Sequence, residues 1–461
     1  MSFYPDWSSK RVLLLGFGAE GRASLHYSVK CRAREIAIAD QAEEVALTPS
    51  ESQLVRHRFT GKHWLEGIYD FDVVVRSPGV SLRHINEVSR RAPQTVVTSG
   101  TEIFLQHHRD NTIGVTGTKG KSTTSSLIHH MLKLAKRDSI LGGNIGLPAL
   151  NLLDKETTHY VLELSSYQLA DVRHSPRVSV FLNLYPEHLD HHGDFNQYGE
   201  AKANITRFQR ARDRLVVPTD SEIIHRLTAS TSAERVFWGS ADGSAWVDDN
   251  FFYYRCEQGT AHKVCSVTSP LLKGPGNQRN ILAALAALSD LSIPETILAD
   301  AISSFNPLPH RLETVGTAHG VTFINDSIST VPEATINALE TFGPLVQTVI
   351  LGGFDRGVSF DGLADYLMHT DVQTVLLFPP SGARIALALR QHPLFDSRQP
   401  ALVEVSTMQE AVLHASQCTS PASVCLLSPA SPSFPLFKNF EERGLAFRAA
   451  VLGLRDTLPS E

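Results

Sequence analysis

Gly114-Val-Thr-Gly-Thr-Lys-Gly-Lys-Ser-Thr-Thr124 decides the fold. It is a glycine-rich loop that ends in Gly120-Lys121-Ser122. The apolar run Ile113–Val115 before it predicts a strand. After it, Leu127, Ile128, Met131, Leu132 and Leu134 recur at helical spacing. Strand, loop and helix in this order are the setting of a P-loop. Glycines let backbone N–H groups close around phosphate oxygens, and the helix adds the positive end of its dipole. Gly117, Thr118, Gly120, Lys121, Ser122 and Thr123 are therefore candidate ATP-binding residues. Lys121 is expected to reach the β/γ-phosphates and the Ser122 hydroxyl to sit on Mg²⁺. One spacing departs from the pattern: Val115 stands where the first glycine belongs, and Gly114 comes one residue early.

Upstream, Arg11-Val-Leu-Leu-Leu15 reads as a buried strand and runs into Gly16-Phe-Gly-Ala-Glu-Gly21. Ile36–Ala39 is the next strand and ends at Asp40. Glycines at a strand–helix turn, with an acid about 20 residues on, make a dinucleotide-binding arrangement. Phe71–Val75 is a further strand, closed by Arg76-Ser-Pro-Gly79. Gly16, Phe17, Gly18, Ala19, Glu20, Asp40, Gln41, Ser77, Pro78 and Gly79 are the candidates for holding a nucleotide's diphosphate and the rest of that ligand.

Downstream, Tyr160–Leu164 is a strand carrying Glu163 near its end, and Val178–Asn183 is another. Tyr185-Pro-Glu-His-Leu-Asp-His-His-Gly193 follows, dense in possible ligands. Hard Mg²⁺ prefers oxygen donors, so a histidine there is not what composition alone suggests. A zinc reading lacks a cysteine and the usual histidine spacing. Tyr198–Ile205 starts a helix, residues 230–270 read as an irregular insertion or small sheet, and Gly274–Asn280 leads into an alanine-rich helix over Ile281–Leu288. Pro307-Leu-Pro reads as a linker. Strands over Val321–Asn325, Val346–Leu351, Thr374–Phe378 and Ser423–Leu427 then end in polar residues, where ligands collect in parallel sheets.

The chain has 461 residues, which predicts about three domains. The expected fold is α/β: a Rossmann-like domain over 1–105, a central P-loop ATPase-like parallel-sheet domain over 106–306, and a Rossmann-like α/β domain over 307–461. Hydrophobic residues make up 42% and charged residues 20%, an ordinary globular balance. No stretch approaches the ~18 apolar residues of a membrane span, and no signal peptide is evident. A cytoplasmic protein is expected, its five scattered cysteines reduced. The net charge of −6 argues against nucleic-acid binding.

Several motifs stand in one order: GVTGTKGKSTT, GNIG (143–146), LELSSYQL (162–169), NLYPEHLDHHG (183–193), EAKANI (200–205), PLPHRLE (307–313), FINDS (323–327), LGGFDRG (351–357) and SPASPSFPLFKNFEERG (428–444). Together they resemble the Mur ligase family, the ATP-dependent amide ligases of peptidoglycan precursor synthesis, and among these the glutamate-adding branch. The resemblance spans essentially the whole chain. It implies a ligase that activates the carboxylate of UDP-N-acetylmuramoyl-L-alanine as an acyl phosphate and joins it to glutamate. Such an enzyme serves cell-wall biogenesis, and through it cell shape and division, and it would act as a monomer.

By the same resemblance the catalytic residues are Lys121, Glu163, His188 and Lys202. Two Mg²⁺ ions are held by Ser122, Glu163, His188 and a carbamylated Lys202. Asn144 steadies the phosphates, and Asn277 and Asn280 contact adenine. Arg311 and Asp326 reach the ATP phosphates and ribose. Thr330, Arg356, Ser433, Phe434 and Phe440 bind the amino acid. The last domain departs from the common pattern. Ile328 stands where a lysine is usual, Arg356 replaces lysine, and Pro435 stands at a usually polar position. In the central domain Gly276 replaces a common histidine. Arginine offers a planar fork where lysine offers a point charge, so the departures lean toward L-glutamate, with D-glutamate as the alternative. A folylpolyglutamate-type ligase shares the chemistry. A non-catalytic UDP-sugar-binding protein is the rival from another class, and the joint presence of Lys121, Ser122, Glu163, His188 and Lys202 argues against it.

Overall fold

The computed structural model describes residues 3–256, 259–269, 271–306 and 308–455. Pro307 of the expected linker lies outside the described residues. Among the described residues the strands form three sheets, each sandwiched by helices.

The first sheet holds β1 (Arg11–Leu15), β2 (Glu35–Asp40), β3 (His57–Thr60), β4 (Val73–Arg76) and β5 (Val96–Ser99), all parallel, in the order β3-β2-β1-β4-β5. Val12 to Leu15 are fully buried. A parallel sheet is covered on both faces, so its central strand is apolar throughout rather than alternating. The order reverses beside β1, and the crevice at that switch point is where such sheets bind ligands.

The second sheet contains β6 (Thr112–Thr116), β7 (Ser139–Gly143), β8 (His159–Glu163), β9 (Val178–Phe181), β10 (Arg214–Pro218), β11 (Glu234–Trp238), β12 (Ala245–Asp248), β13 (Phe251–Arg255) and β14 (Ala261–Ser266). Its order is β14-β13-β12-β11-β10-β9-β6-β8-β7. The region 230–270, expected to be an insertion or a separate small sheet, instead continues this sheet. β11 pairs in parallel with β10, β12 joins β11, and β13 and β14 add an antiparallel edge. The polar alternation of that stretch reflects an edge with one wet face. The helix predicted from Ile281 begins earlier, at Pro275, and runs to Ala287. Proline is tolerated in a first helical turn, where its missing N–H costs nothing, so Gly274–Asn280 is not a free loop. Leu134 closes the P-loop helix exposed, while Leu127, Ile128, Met131 and Leu132 are buried.

The third sheet is built from β15 (Glu313–Ala318), β16 (Val321–Asn325), β17 (Val346–Gly352), β18 (Thr374–Phe378), β19 (Ala401–Glu404) and β20 (Val424–Leu427), ordered β15-β16-β20-β17-β18-β19. Only β15 is antiparallel among these pairings. The ends of β16, β20 and β17 adjoin, which gathers Asp326, Ser428 and Gly353 at one rim.

The chain separates into two compact units. Residues 1–270 and 279–305 form one; residues 271–278 and 306–461 form the other. The first and second sheets share a unit because one hydrophobic cluster serves both: Val12, Leu14 and Ile38 pack in it with Leu150, Tyr160 and Leu162. The sequence reading placed residues 271–278 with the central domain. By contacts they pack with the last sheet's unit, where a Cβ on Gly274 would strike Thr341. The helix Gly100–His108 runs across the border expected at 105/106.

Candidate active site

The P-loop is the turn between β6 and the helix Lys121–Leu134. Gly114 lies inside β6, where a Cβ would meet Pro176 at 2.6 Å and Leu164 at 3.0 Å. It is a packing glycine, so the irregular spacing concerns the strand and not the phosphate loop. The loop glycines are Gly117 and Gly120. Gly120 caps the helix at φ +83°, and a Cβ there would meet Asn280 Oδ1 at 2.2 Å. No side chain caps that helix end, which leaves its first N–H groups and dipole directed at the loop.

Asn183, quoted in the sequence but given no role, holds the loop. Its Oδ1 accepts from the N–H groups of Thr118 (3.1 Å) and Lys119 (2.9 Å), and its Nδ2 donates to Lys119 O (3.0 Å). Lys121 Nζ donates to the carbonyls of Gly117 (3.0 Å) and Thr118 (2.9 Å). Lys202 Nζ, on the helix Phe195–Arg207, donates to the same Gly117 carbonyl at 2.8 Å. Three lysines thus crowd one turn, with Lys119 paired to Glu187 at 3.0 Å. Burial alone would raise the Glu187 carboxyl, but the charges of Lys119, His188 and Lys121 outweigh it and pull it down to about 2. Lys202 is 1% exposed. Burial first, then the charge of Lys121, pushes its ammonium well below the ordinary lysine range. An amine held near neutrality is nucleophilic.

Glu163 ends β8, the neighbour of β6, and is buried. One oxygen accepts from Asn144 Nδ2 at 2.7 Å, and the other, Oε2, has no hydrogen-bond partner. A buried carboxylate oxygen without a donor is costly in an apolar setting and ordinary beside a cation. Ser122 is also buried, at the first turn of the P-loop helix. Oxygen donors of this kind suit Mg²⁺. Among the described residues no three or more His, Cys, Asp and Glu side chains gather to hold a metal on their own. A Mg²⁺ here would need hydroxyl and phosphate oxygens as well, and Ser122 supplies the hydroxyl. His188 sits at φ +56° with Nε2 3.9 Å from Glu187 Oε2, its ring 5.0 Å from that of Tyr167.

A cavity of about 680 Å³ opens between this centre and the first sheet. It is lined by each residue expected to hold the nucleotide diphosphate: Gly16, Phe17, Gly18, Ala19, Glu20, Asp40, Gln41, Ser77, Pro78 and Gly79. Asn144, whose Nδ2 donates to Glu163, lines it too. Trp64, His84, Gln168 and His191 are among the further lining residues and were not foreseen. Gln168 and His191 stand in the motifs LELSSYQL and NLYPEHLDHHG without a role assigned to them, and Trp64 and His84 stand in none of the quoted motifs. Gly16 takes φ +88° and accepts on its carbonyl from Ser77 Oγ at 2.8 Å. Asp40 accepts from Phe17 N (2.7 Å) and Ala42 N (2.9 Å). It braces the glycine turn as well as facing the cavity.

In the other unit, Asp326 follows β16 and is buried. Its oxygens accept from Ser329 and Ser428 hydroxyls and from Leu312 N. Burial raises the carboxyl to about 6 against those hydrogen bonds. It is an internal brace in this conformation, close to the turn that carries Arg311. Ser433 is buried; Phe434 is exposed, with its ring 4.3 Å from that of Phe354. Phe440 starts the last helix, and its carbonyl accepts from Ser327 Oγ at 2.7 Å. Thr330 is half-buried and Arg356 exposed. Asp355 pairs with Arg384 at 2.6 Å and accepts from Gly357 N, which shapes the turn presenting Arg356. Asn277 donates to Lys273 O at 2.9 Å. Asn280 belongs to the first unit, beneath the P-loop, where its Oδ1 accepts from Thr124 Oγ1 at 3.3 Å.

Parallel α/β sheets, a lysine-rich P-loop, a buried acid beside it and a cavity at the glycine turn of the first sheet suit an enzyme that binds nucleotides. The chain matches the Mur ligase middle domain over residues 115–288 and the Mur ligase, glutamate ligase domain over 310–431. It is 37% identical over 468 residues to a UDP-N-acetylmuramoyl-L-alanine–L-glutamate ligase of Micromonospora sp., covering 98% of each chain. It is 32% identical over 454 residues to a UDP-N-acetylmuramoylalanine–D-glutamate ligase of Acetivibrio thermocellus, covering 96% of each. The crystal structure of a UDP-N-acetylmuramate–alanine ligase from Thermotoga maritima has the same fold, with a TM-score of 0.59 at 19% identity over 96% of this chain and 99% of that one. The chain belongs to the Mur ligase family and is an ATP-dependent ligase of peptidoglycan synthesis.

Proposed function

We propose that this ligase joins L-glutamate to the free carboxylate of UDP-N-acetylmuramoyl-L-alanine, acting as a cytoplasmic monomer. The observation that carries the reading is the cavity that runs from the Gly16–Glu20 turn to Asn144, the residue that donates to the half-partnered Glu163. It would hold a UDP-sugar at one end and bring an attached carboxylate to the phosphate loop at the other. ATP with Mg²⁺ supplies the phosphoryl group that turns the carboxylate into an acyl phosphate.

The chain's own residues do the rest. Backbone N–H groups of residues 120–123 and the Lys121 ammonium bind phosphoryl oxygens, whose charge grows in the transition state. Glu163, Ser122 and His188 would hold the metal, and a carbamate on Lys202 would add oxygen donors to it. Arg311, Asp326, Asn277 and Asn280 serve ATP. Thr330, Arg356, Ser433, Phe434 and Phe440 bind the amino acid. The isomer rests on the exposed Arg356 fork and on Ile328 in place of a cation. The L-glutamate name of the Micromonospora relative supports it, and the D-glutamate name of the Acetivibrio relative is the counterweight.

The test is phosphate release from ATP with UDP-N-acetylmuramoyl-L-alanine and either glutamate isomer on one preparation. L-Glutamate should give the higher kcat/KM. Preference for D-glutamate reverses the isomer alone, and activity with a folate in place of the muramoyl nucleotide overturns the substrate.

A further inference from the structure

Arg76 ends β4 immediately before the cavity-lining turn Ser77–Val80, and its side chain is fully buried. Its guanidinium spends every N–H. Nη1 donates to the carbonyls of Val80 (2.9 Å), Pro78 (3.0 Å) and Ser77 (3.4 Å). Nε and Nη2 form a fork on Asp171 at 2.7 and 2.8 Å, and Nη2 also donates to Tyr167 O at 2.8 Å. One side chain therefore clamps the nucleotide-side turn of the first sheet to the segment that follows Glu163 in the second.

That segment is the short helix Ser166–Leu169. It is tied to the first sheet again by Gln168, which donates to Glu20 at 3.0 Å. On its other side the Tyr167 ring packs against His188, His191 and His192, with centroids 5.0, 4.3 and 5.4 Å away. His191 lines the cavity. The path from the Ser77–Val80 turn to the histidine loop is thus Arg76, then the 166–171 segment, then Tyr167. Each link is a buried fork or a ring contact. A buried ion pair is weak evidence for stability, because desolvation offsets its attraction. What a fully satisfied fork does supply is fixed geometry.

Building on the ligase reading above, we propose that Arg76 and Asp171 are positioning residues. They set the nucleotide-binding turn at a fixed distance from the Glu163–His188 centre, so that a substrate held by its UDP end presents its carboxylate in register with the phosphate loop. Neither residue touches the reacting atoms. Misplacement by about 1 Å is enough to cost a large factor in rate.

The test compares Arg76→Lys and Asp171→Asn with the wild-type chain. Arg76→Lys keeps the charge and loses the fork; Asp171→Asn keeps the shape and loses the charge. Each should lower kcat at least fivefold and raise both the KM for UDP-N-acetylmuramoyl-L-alanine and the Kd for UDP at least fivefold. The KM for ATP should stay within twofold, which a general loosening of the fold would not spare. Asp171→Glu, which can restore the fork, should recover more than Asp171→Asn. UDP affinity and kcat within twofold of wild type in either folded variant overturns the proposal, as does an ATP KM that rises in parallel. If Arg76→Lys does not fold, Asp171→Asn is decisive alone. A wild-type chain that binds UDP but joins neither glutamate isomer refutes the ligase substrate. The linkage is then judged on UDP affinity, and an unchanged Kd in the variants overturns it separately.

Discussion

Lys202 Nζ lies 2.8 Å from the carbonyl oxygen of Gly117, the first glycine of the phosphate loop. A fully buried lysine has been brought to the turn that also receives Lys121. Burial is the larger cost of charge on Lys202, and the neighbouring Lys121 ammonium adds repulsion. The neutral amine is the form that reacts with carbon dioxide. We expect a carbamate on Lys202 in the active enzyme, visible in a high-resolution complex. Lys202→Ala should be nearly inactive, and formate or acetate should restore part of the activity by returning a carboxylate to the space. No rescue, together with an unmodified lysine in an active complex, would remove this role.

Lys121→Ala should cut turnover by roughly two or more orders of magnitude, the usual size for losing a charge that acts mainly in the transition state. UDP affinity should hardly change, because the Gly16–Gly21 turn belongs to the other sheet of the same unit. Titration of UDP into the variant by calorimetry, beside a phosphate-release assay, checks both halves. Normal turnover would disprove the P-loop reading.

Asp326 sets a pH signature on stability. Its carboxyl is raised by burial to about 6 from 3.8, so the folded chain holds this proton where the unfolded chain has released it. The native state then binds more protons between about pH 4 and 6, and stability falls as pH rises across that window. The contribution is about 3 kcal/mol at about 1.4 kcal/mol per unit. Asp326→Asn should lack this decline. The measurement is the wild-type minus variant difference in unfolding free energy from pH 4 to 7. A difference flat in pH would show that the carboxyl titrates normally.

Arg356 is exposed on the turn that Asp355 and Arg384 shape. If its fork receives a glutamate carboxylate, Arg356→Lys loses a bidentate, charge-assisted contact worth about 1.5–3 kcal/mol per hydrogen bond. That corresponds to a rise of tenfold or more in the glutamate KM, with the ATP KM unchanged. Steady-state kinetics with each substrate varied in turn decides it, and equal effects on both would move Arg356 out of the amino-acid site.

Sequence alone determined the α/β rhythm, the P-loop and the glycine turn of the first sheet. Each is a local event: apolar runs make buried parallel strands, and Gly120 at φ +83° or Gly16 at φ +88° is needed by its own turn. Tertiary structure decided what joins distant segments. No spacing shows that Asn183 holds residues 118 and 119, that Gly114 is crowded by Pro176, or that Trp64, His84, Gln168 and His191 wall the same cavity as Gly16. The clearest case is Arg76. In sequence it is a lone cation closing a strand, and in the fold its fork finds Asp171, 95 residues on. A side chain's partner depends on where the backbone returns, and burial there turns an ordinary charge into a fixed joint. The same holds for Lys202, whose helix returns it to Gly117, where desolvation, not residue type, alters its chemistry.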